Sequence, residues 1–350
     1  MMSKNKKPIA VFITDTHLNK DNGILVKNIF DQVIEICEER GIEYIFHGGD
    51  VFTNRSGQPL SCLTDWKEIL QKLNRNKIQL HVIPGNHDKT DADSVRSYLD
   101  IFGEPCLTVH SSGEGIICEG VYVAFIPYFS DERWLEEYQV VNGADDNKPN
   151  RVSILITHSG FDGVMNNDGS KVESPIKPSM FKNWTNVLIG HYHNASKLAK
   201  NVIYTGSAYQ NNYGETVTDK GCTIIYNDGS LESIPLKFPK YIKEVLDVND
   251  RETLQNLLEK YEGENNDNVR FIFRGKREDA NKVDISQLSA LGIDAKFEAA
   301  EETEARECSE ADTVMCYDKK SILKDFIRFC GENSIKGNHL KYGLSLVRSL

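Results

Sequence analysis

Apolar residues fall in short, dense runs along the first half of the chain, and each run ends on polar residues. "IAVFIT" (Ile9 to Thr14) is rich in β-branched side chains and predicts a buried strand. From Leu25 to Arg40 the spacing changes. Ile29, Val33, Ile34 and Cys37 recur at helical intervals and Gly41 follows, which predicts an amphipathic helix with a glycine stop. "YIF", ending at Gly48-Gly49-Asp50, predicts a second strand, and Cys62, Leu63, Trp66, Ile69, Leu70 and Leu73 mark a second helix. "LHVI" is the third strand, and it runs into Pro84-Gly85-Asn86-His87-Asp88. Strands alternating with helices in this way favour an α/β layered fold.

The pattern then shifts. "VYVAFIPYF", "VSILITHSG", "NVLIGHYH", "NVIYTGS" and "CTIIYND" read as strands with little helix between them. They predict a second sheet packed on the first, closing a domain over residues 1–240. A small αβ module follows over 241–298, from the strand-like "YIKEVLDV" and "NVRFIFRGK" with Leu254, Leu257, Leu258 and Tyr261 at helical spacing between them. Residues 299–318 are rich in Glu and Asp and predict a solvated linker. The tail, 319–350, has two apolar-periodic pieces joined between Gly331 and Gly337 and predicts a helical hairpin.

Composition narrows the class. Hydrophobic residues make up 39% of the 350, enough for a proper core. A formal net charge of -11 argues mildly against a generally basic nucleic-acid binder, although a local positive site can sit on an acidic protein. The eight cysteines form no CxxC pair and several lie in apolar runs, as expected of a reduced, intracellular protein. No stretch approaches the roughly 20 apolar residues of a membrane span. The expectation is a cytoplasmic protein without membrane association.

The chemistry gathers where the strands end. The first ends at Asp15 and His17, the second at Asp50, and the third at Asn86, His87 and Asp88. "ILITHSG" ends at His158, and "VLIGHYH" at His191 and His193. In α/β proteins ligands bind beyond the carboxyl ends of the strands, where polar side chains can converge. Asp15 and His17 are two apart, so an extended chain would face them the same way, and the same holds for His191 and His193. Alone, each motif has an ordinary reading as a turn or a satisfied core histidine. Five together, each closing an apolar run, predict a site for two divalent ions. Mixed imidazole, carboxylate and amide donors suit manganese, iron or zinc. Two such ions outweigh two carboxylates and leave a positive centre suited to a phosphodiester. His47, His81, His110 and His339 are read as structural, with His47 a candidate for a place behind the ligands.

The series "DTH…GGD…GNHD…H…GHYH" resembles the calcineurin-like metallophosphoesterase family over about the first 240 residues. "DTHL", "GGDVF" and "YTGSAYQ" (Tyr204 to Gln210), with the order of domain, module and tail, look like its SbcD-type DNA nucleases, and the length is close to that of phage members. The resemblance implies a two-sheet sandwich flanked by helices, with a small αβ capping module and a C-terminal helical tail. It implies that Asp15, His17, Asp50 and His193 hold one metal and Asp50, Asn86, His158 and His191 the other, with manganese the expected ion. His87 would face the scissile phosphate, Asp88 would orient His87, and a hydroxide held between the metals would attack in line. The implied function is a manganese-dependent DNA exonuclease and endonuclease in double-strand-break repair and recombination. Its implied partners are DNA, an SMC-like (SbcC-type) ATPase on the C-terminal helices, and a second copy through the helices of the first half. The setting would be a bacterial cytoplasm, or a host's if the gene is phage-borne. Thr53, Asn54 and Arg55 depart from the SbcD pattern after "GDVF", as does Asn19 after "DTHL", which bears on substrate handling. Arg274, Lys276 and Arg277 are candidates for phosphate-backbone contacts, against a plain solvated face. Two alternatives stand beside this reading: a phosphodiesterase or phosphatase for small substrates such as nucleotides, and a scaffold that keeps the fold without catalysis.

Overall fold

A computed structural model describes residues 6–144, 151–166, 169–218, 220–261, 267–276, 278–279, 288–289 and 291–299. The predicted start is present: β1 (Pro8–Ile13), α1 (Gly23–Arg40), β2 (Tyr44–His47), α2 (Leu60–Arg75) and β3 (Gln79–Val82). Helix α1 buries Val26, Ile29, Phe30, Val33, Ile34 and Cys37, one face at helical spacing. It stops at Gly41, whose φ of 65° a side chain would resist. β1, β2 and β3 run parallel, with β4 (Leu107–Val109) added beyond β3.

The strands that follow are β5 (Glu114–Cys118), β6 (Val121–Ile126), β7 (Ser153–His158), β8 (Asn186–Gly190), β9 (Ser196–Ala199) and β10 (Val202–Tyr204). They form a second six-stranded sheet in the order β5-β6-β7-β8-β10-β9. β6, β7 and β8 are buried along their whole length, as strands covered on both faces must be. Phe12, Phe46 and Ile83 of the first sheet meet Val123, Phe125, Ile156 and Leu188 of the second in one apolar cluster. α1 and α2 cover the outer face of the first sheet, and α3 (Asp131–Gly143) covers the second through Trp134, Tyr138 and Val141. This is the two-sheet sandwich flanked by helices that the resemblance implies.

Two details differ from the sequence reading. "CTIIYND" does not join the second sheet. β11 (Gly221–Tyr226) and β12 (Leu231–Pro235) return to the first, with β11 antiparallel to β1. Pairing over some 200 residues leaves no trace in local periodicity. Helix α3 is also longer than "little helix" allows, because its three buried side chains are spread among charged neighbours.

The described residues between 241 and 299 build a separate three-stranded sheet. β13 (Tyr241–Asp247), β14 (Asn268–Gly275) and β15 (Asp294–Ala299) run parallel, with α4 (Arg251–Tyr261) after β13. Leu246, Val248, Phe271 and Phe273 form its core. Arg274 pairs with Glu298 at 3.5 Å, which makes it part of a charged face. Ala299 ends β15; the rest of the predicted linker, the helical tail, Arg277 and His339 lie outside the described residues. No described helix is long and apolar enough to cross a membrane.

Candidate metal centre

The carboxyl ends of β1, β2 and β3 in one sheet and of β7 and β8 in the other face the same cleft. The structure brings Asp15, His17, Asp50, Asn86, His158, His191 and His193 together there. It does so by a route that differs from the extended-chain expectation. Asp15, His17, Asp50 and His191 all have positive φ, at 54°, 43°, 54° and 89°. The pairs two residues apart converge because the chain kinks through left-handed conformations just past the strands. Non-glycine residues adopt these only under constraint, at roughly 1–3 kcal/mol each. The constraint is visible. Asp15 N–H donates to Gly49 O and His17 N–H to Asp50 O, each at 3.0 Å, and Leu18 N–H to Val51 O at 2.7 Å. His191 N–H donates to the Asp15 carboxylate at 3.1 Å, and His87 N–H to Asp50 Oδ1 at 2.8 Å. A Cβ on Gly85 would fall on the backbone and carboxylate of Asp50, so only glycine lets these two loops touch.

The donors form two groups: Asp15, His17 and His193, and Asp50, His158 and His191. In the first, His17 Nε2 lies 2.9 Å from His193 Nε2 and 3.9 Å from Asp15 Oδ1. In the second, one end of the Asn86 amide lies 3.1 Å from His158 Nε2 and 3.0 Å from His191 Nδ1, and the oxygen is the end that would hold an ion. Asp50 Oδ2 stands 3.6 Å from His17 Nε2 and 3.3 Å from His158 Nε2, within reach of both groups. Bonds of ~2.1 Å to a common ion would place donor atoms roughly 3.0–3.5 Å apart. Lone-pair atoms turned toward one another at these separations, in a buried cleft, are a set that cations would satisfy. The residues therefore fit two divalent ions.

In the chain without ions, a proton on His158 supplies the positive charge beside Asp50. Burial opposes the charge on Asp50, but the imidazoles of His158, His17 and His87 hold its carboxyl well below the usual range. Burial likewise opposes charge on His158, yet the Asp50 carboxylate pushes it up to about 9. Burial lowers His17, and burial with the neighbouring His158 lowers His191 to about 4.

His87 stands at the mouth of a cavity of about 350 Å³, with its side chain 28% exposed. Its Nδ1 meets the carbonyl of Thr53, and its Nε2 lies 3.5 Å from an Arg55 guanidinium nitrogen. The hydrogen bonds of Asp88 go to the backbone rather than to the ring of His87. Its fully buried carboxylate accepts from the backbone N–H groups of Gly85 and Phe52, each at 2.9 Å, and of Val51 at 3.2 Å. Asp88 thus ties the third strand's loop to the second's, and Thr53 is the group that holds the ring of His87. Short acidic residues readily bond neighbouring backbone amides, a competing use that the motif alone could not separate from ring orientation.

Sequence reasoning missed several neighbours. Thr14 Oγ1 donates to Asp15 Oδ2 at 2.7 Å, and Glu215 Oε1 lies 2.7 Å from His193 Nδ1. Arg55, noted only as a departure, lines the cavity. His47 is buried behind the loops, 3.0 Å from Thr16 Oγ1 and accepting from Gly49 N–H at 3.2 Å. His81 and His110 pack on each other and on Phe125, away from the donors. The one signal for Glu215 was its place in the polar loop after "YTGSAYQ".

Comparison with known proteins places the chain. A protein of Invertebrate iridescent virus 3 with a provisional phosphoesterase name is 22% identical over 69% of this chain and 70% of its own length. Exonuclease subunit 1 of Enterobacteria phage T4 is 26% identical over 57% of each chain. The DNA double-strand break repair protein Mre11 of Saccharolobus solfataricus is 26% identical over 54% of this chain and 50% of that one. The chain therefore spans only about half the length of these two nuclease-related relatives. The family model for calcineurin-like phosphoesterases matches residues 10–195, more than half of the chain and all of its strand-end motifs, so the chain belongs to the calcineurin-like phosphoesterase family.

Proposed function

We propose that this protein is a manganese-dependent nuclease that hydrolyses phosphodiester bonds in DNA. The observation that carries the reading is the convergence of seven donor side chains from five strand ends, with Asp50 within reach of both groups. Asp15, His17, Asp50 and His193 would hold one ion, and Asp50, Asn86, His158 and His191 the other. When bound, two such ions supply a nucleophile from water and draw charge from a phosphoryl oxygen. The chain's own residues do the rest. The Thr53 carbonyl accepts from His87 Nδ1–H, so Nε2 faces the cavity, where a second proton on the ring would let it donate to a phosphoryl or leaving oxygen. Asp88 acts on the backbone, keeping Asp50 and Asn86 in register. The names of the phage and archaeal relatives support DNA as substrate.

In this reading residues 1–240 form the nuclease domain and 241–298 a module that helps hold DNA. Residues 299–318 link to a helical tail, 319–350, that docks on an SMC-like ATPase of the SbcC type. A second copy would pair through α1 and α2, and the complex would work in repair and recombination in a bacterial cytoplasm, or in a host's for a phage gene.

The test is cleavage of linear duplex DNA with manganese, with and without the ATPase. Absence of cleavage in both would overturn the reading. A small-substrate phosphodiesterase is favoured by one observation, a cavity of about 350 Å³ that suits a single nucleotide. Turnover of a cyclic nucleotide or a chromogenic diester without DNA cleavage would establish it. A scaffold without catalysis is disfavoured by the complete donor set.

A further inference from the structure

Glu215 lies outside the donor set, in the loop after β10, with its side chain only 3% exposed. Its Oε1 stands 2.7 Å from His193 Nδ1 and accepts from Asn212 Nδ2 at 2.8 Å. Its Oε2 accepts from the backbone N–H of Asn211 at 3.0 Å and pairs at 3.0 Å with the ammonium of Lys220, whose side chain is fully buried. Lys220 also reaches Ser207 Oγ at 2.9 Å and the carbonyl of His193 itself. Both oxygens of the carboxylate are thus occupied, and His193 is held at its carbonyl by Lys220 and at its ring by Glu215. A carboxylate on Nδ1 keeps the ring proton there and leaves the Nε2 lone pair for a ligand. That Nε2 is the atom 2.9 Å from His17 Nε2 and 3.8 Å from Asp15 Oδ1.

The same loop hooks onto the three-stranded sheet. Gln210 is buried, and its Nε2 donates both to Glu215 O at 2.9 Å and to Tyr241 O at 3.1 Å. Its Oε1 accepts from Tyr241 N–H at 2.8 Å. One amide thereby completes the first residue of β13 and the backbone of Glu215 at once. Outside it, the Tyr213 ring meets Tyr241 edge-on, and the guanidinium of Arg270 on β14 lies 4.0 Å over the Tyr213 ring.

We propose that Glu215 is a positioning residue for His193, and that Gln210 ties metal affinity at that position to the seating of the three-stranded sheet. The proposal rests on the reading of His193 as a metal ligand.

The test uses the full chain and manganese alone. Calorimetric titration reads affinity, and nitrogen NMR of the histidine rings reads which His193 nitrogen carries the proton. Glu215→Gln is expected to weaken one of two manganese positions ~10–100-fold and to move the His193 proton off Nδ1. Gln210→Ala is expected to weaken the same position by a smaller factor. Glu215→Gln leaves Lys220 buried without its carboxylate, which endangers folding. The double variant Glu215→Gln/Lys220→Met removes both charges and is measured beside it, with the same losses expected. Two ions bound with unchanged affinity by the Glu215 variants would overturn the positioning role alone. Unchanged affinity in Gln210→Ala would overturn the tie to the sheet. No manganese bound by the unaltered chain would remove the metal reading itself, and this proposal with it.

Discussion

Asp50 and His158 stand on different sheets and meet across the cleft, with Asp50 Oδ2 3.3 Å from His158 Nε2. His158 is the last residue of β7, and Asp50 follows the Gly48-Gly49 turn that ends β2. Its Nδ1 lies 2.8 Å from Gly48 O, so the ring is held by the same turn that presents the carboxylate. The two sheets are therefore locked to each other at the point where the two donor groups join.

Asp50→Asn should abolish binding at both positions, because its Oδ2 lies within 4 Å of an imidazole of each group and no other carboxylate does so among the described residues. Manganese titration is expected to show no site of the original affinity, and phosphodiester hydrolysis should become undetectable. Retention of two full-affinity ions would contradict the bridging role.

His87→Ala should leave manganese binding intact while turnover falls on the order of 10²–10³-fold, the usual effect of removing one group that meets charge in the transition state. Its Nδ1 meets Thr53, and its Nε2 stands 4.0 Å from Asp50 Oδ2, farther off than the 3.6 Å of His17 and the 3.3 Å of His158. A collapse of metal occupancy in this variant would assign the ring to the ligand set instead.

Asp88→Ala is predicted to act on stability. Three buried backbone N–H groups lose their acceptor, which should cost about 3 kcal/mol in urea unfolding. Asp88→Asn keeps one acceptor oxygen and should cost less. Equal stability of the alanine variant and the unaltered chain would show that these amides find other partners.

His81 and His110 give a pH dependence away from the cleft. Their rings stack on Phe125, with His110 at a centroid distance of 3.9 Å, and His81 Nδ1 lies 2.9 Å from His110 Nε2. Burial lowers both from 6.5 to about 4, helped for His81 by its neighbour. Folded, both are neutral between about pH 4 and 6.5; unfolded, both take up protons there. Stability should thus be fully present above about 6.5 and fall as pH drops toward 4. Urea midpoints at pH 5, 6 and 7 would show the slope, and His110→Phe should flatten it by about one proton.

Much of the candidate site was legible because its residues follow dense apolar runs. Asp15, Asp50, Asn86, His158 and His191 each come just after, or at, the end of a buried strand, and parallel strands of one sheet must end on the same side. Asp88 was legible as part of the motif but its partners were not, since two of the three backbone amides it accepts from, Val51 and Phe52, belong to a loop 37 and 36 residues away. Glu215 was legible only as one more polar residue in the loop after "YTGSAYQ". It reaches His193 over 22 residues through a loop whose composition is that of any polar turn.

By itself the sequence determined which segments are strands and helices in the first half, since burial on one face or two leaves its period in the chain. It also determined which polar side chains stand at the strand ends. Only the tertiary structure decided that β11 and β12 return to the first sheet, and that the D-x-H and H-x-H pairs converge through left-handed turns. It alone decided that Thr53 rather than Asp88 meets the ring of His87. The physical reason is shared: each depends on hydrogen bonds between residues far apart in the chain, and local apolar periodicity carries no record of them.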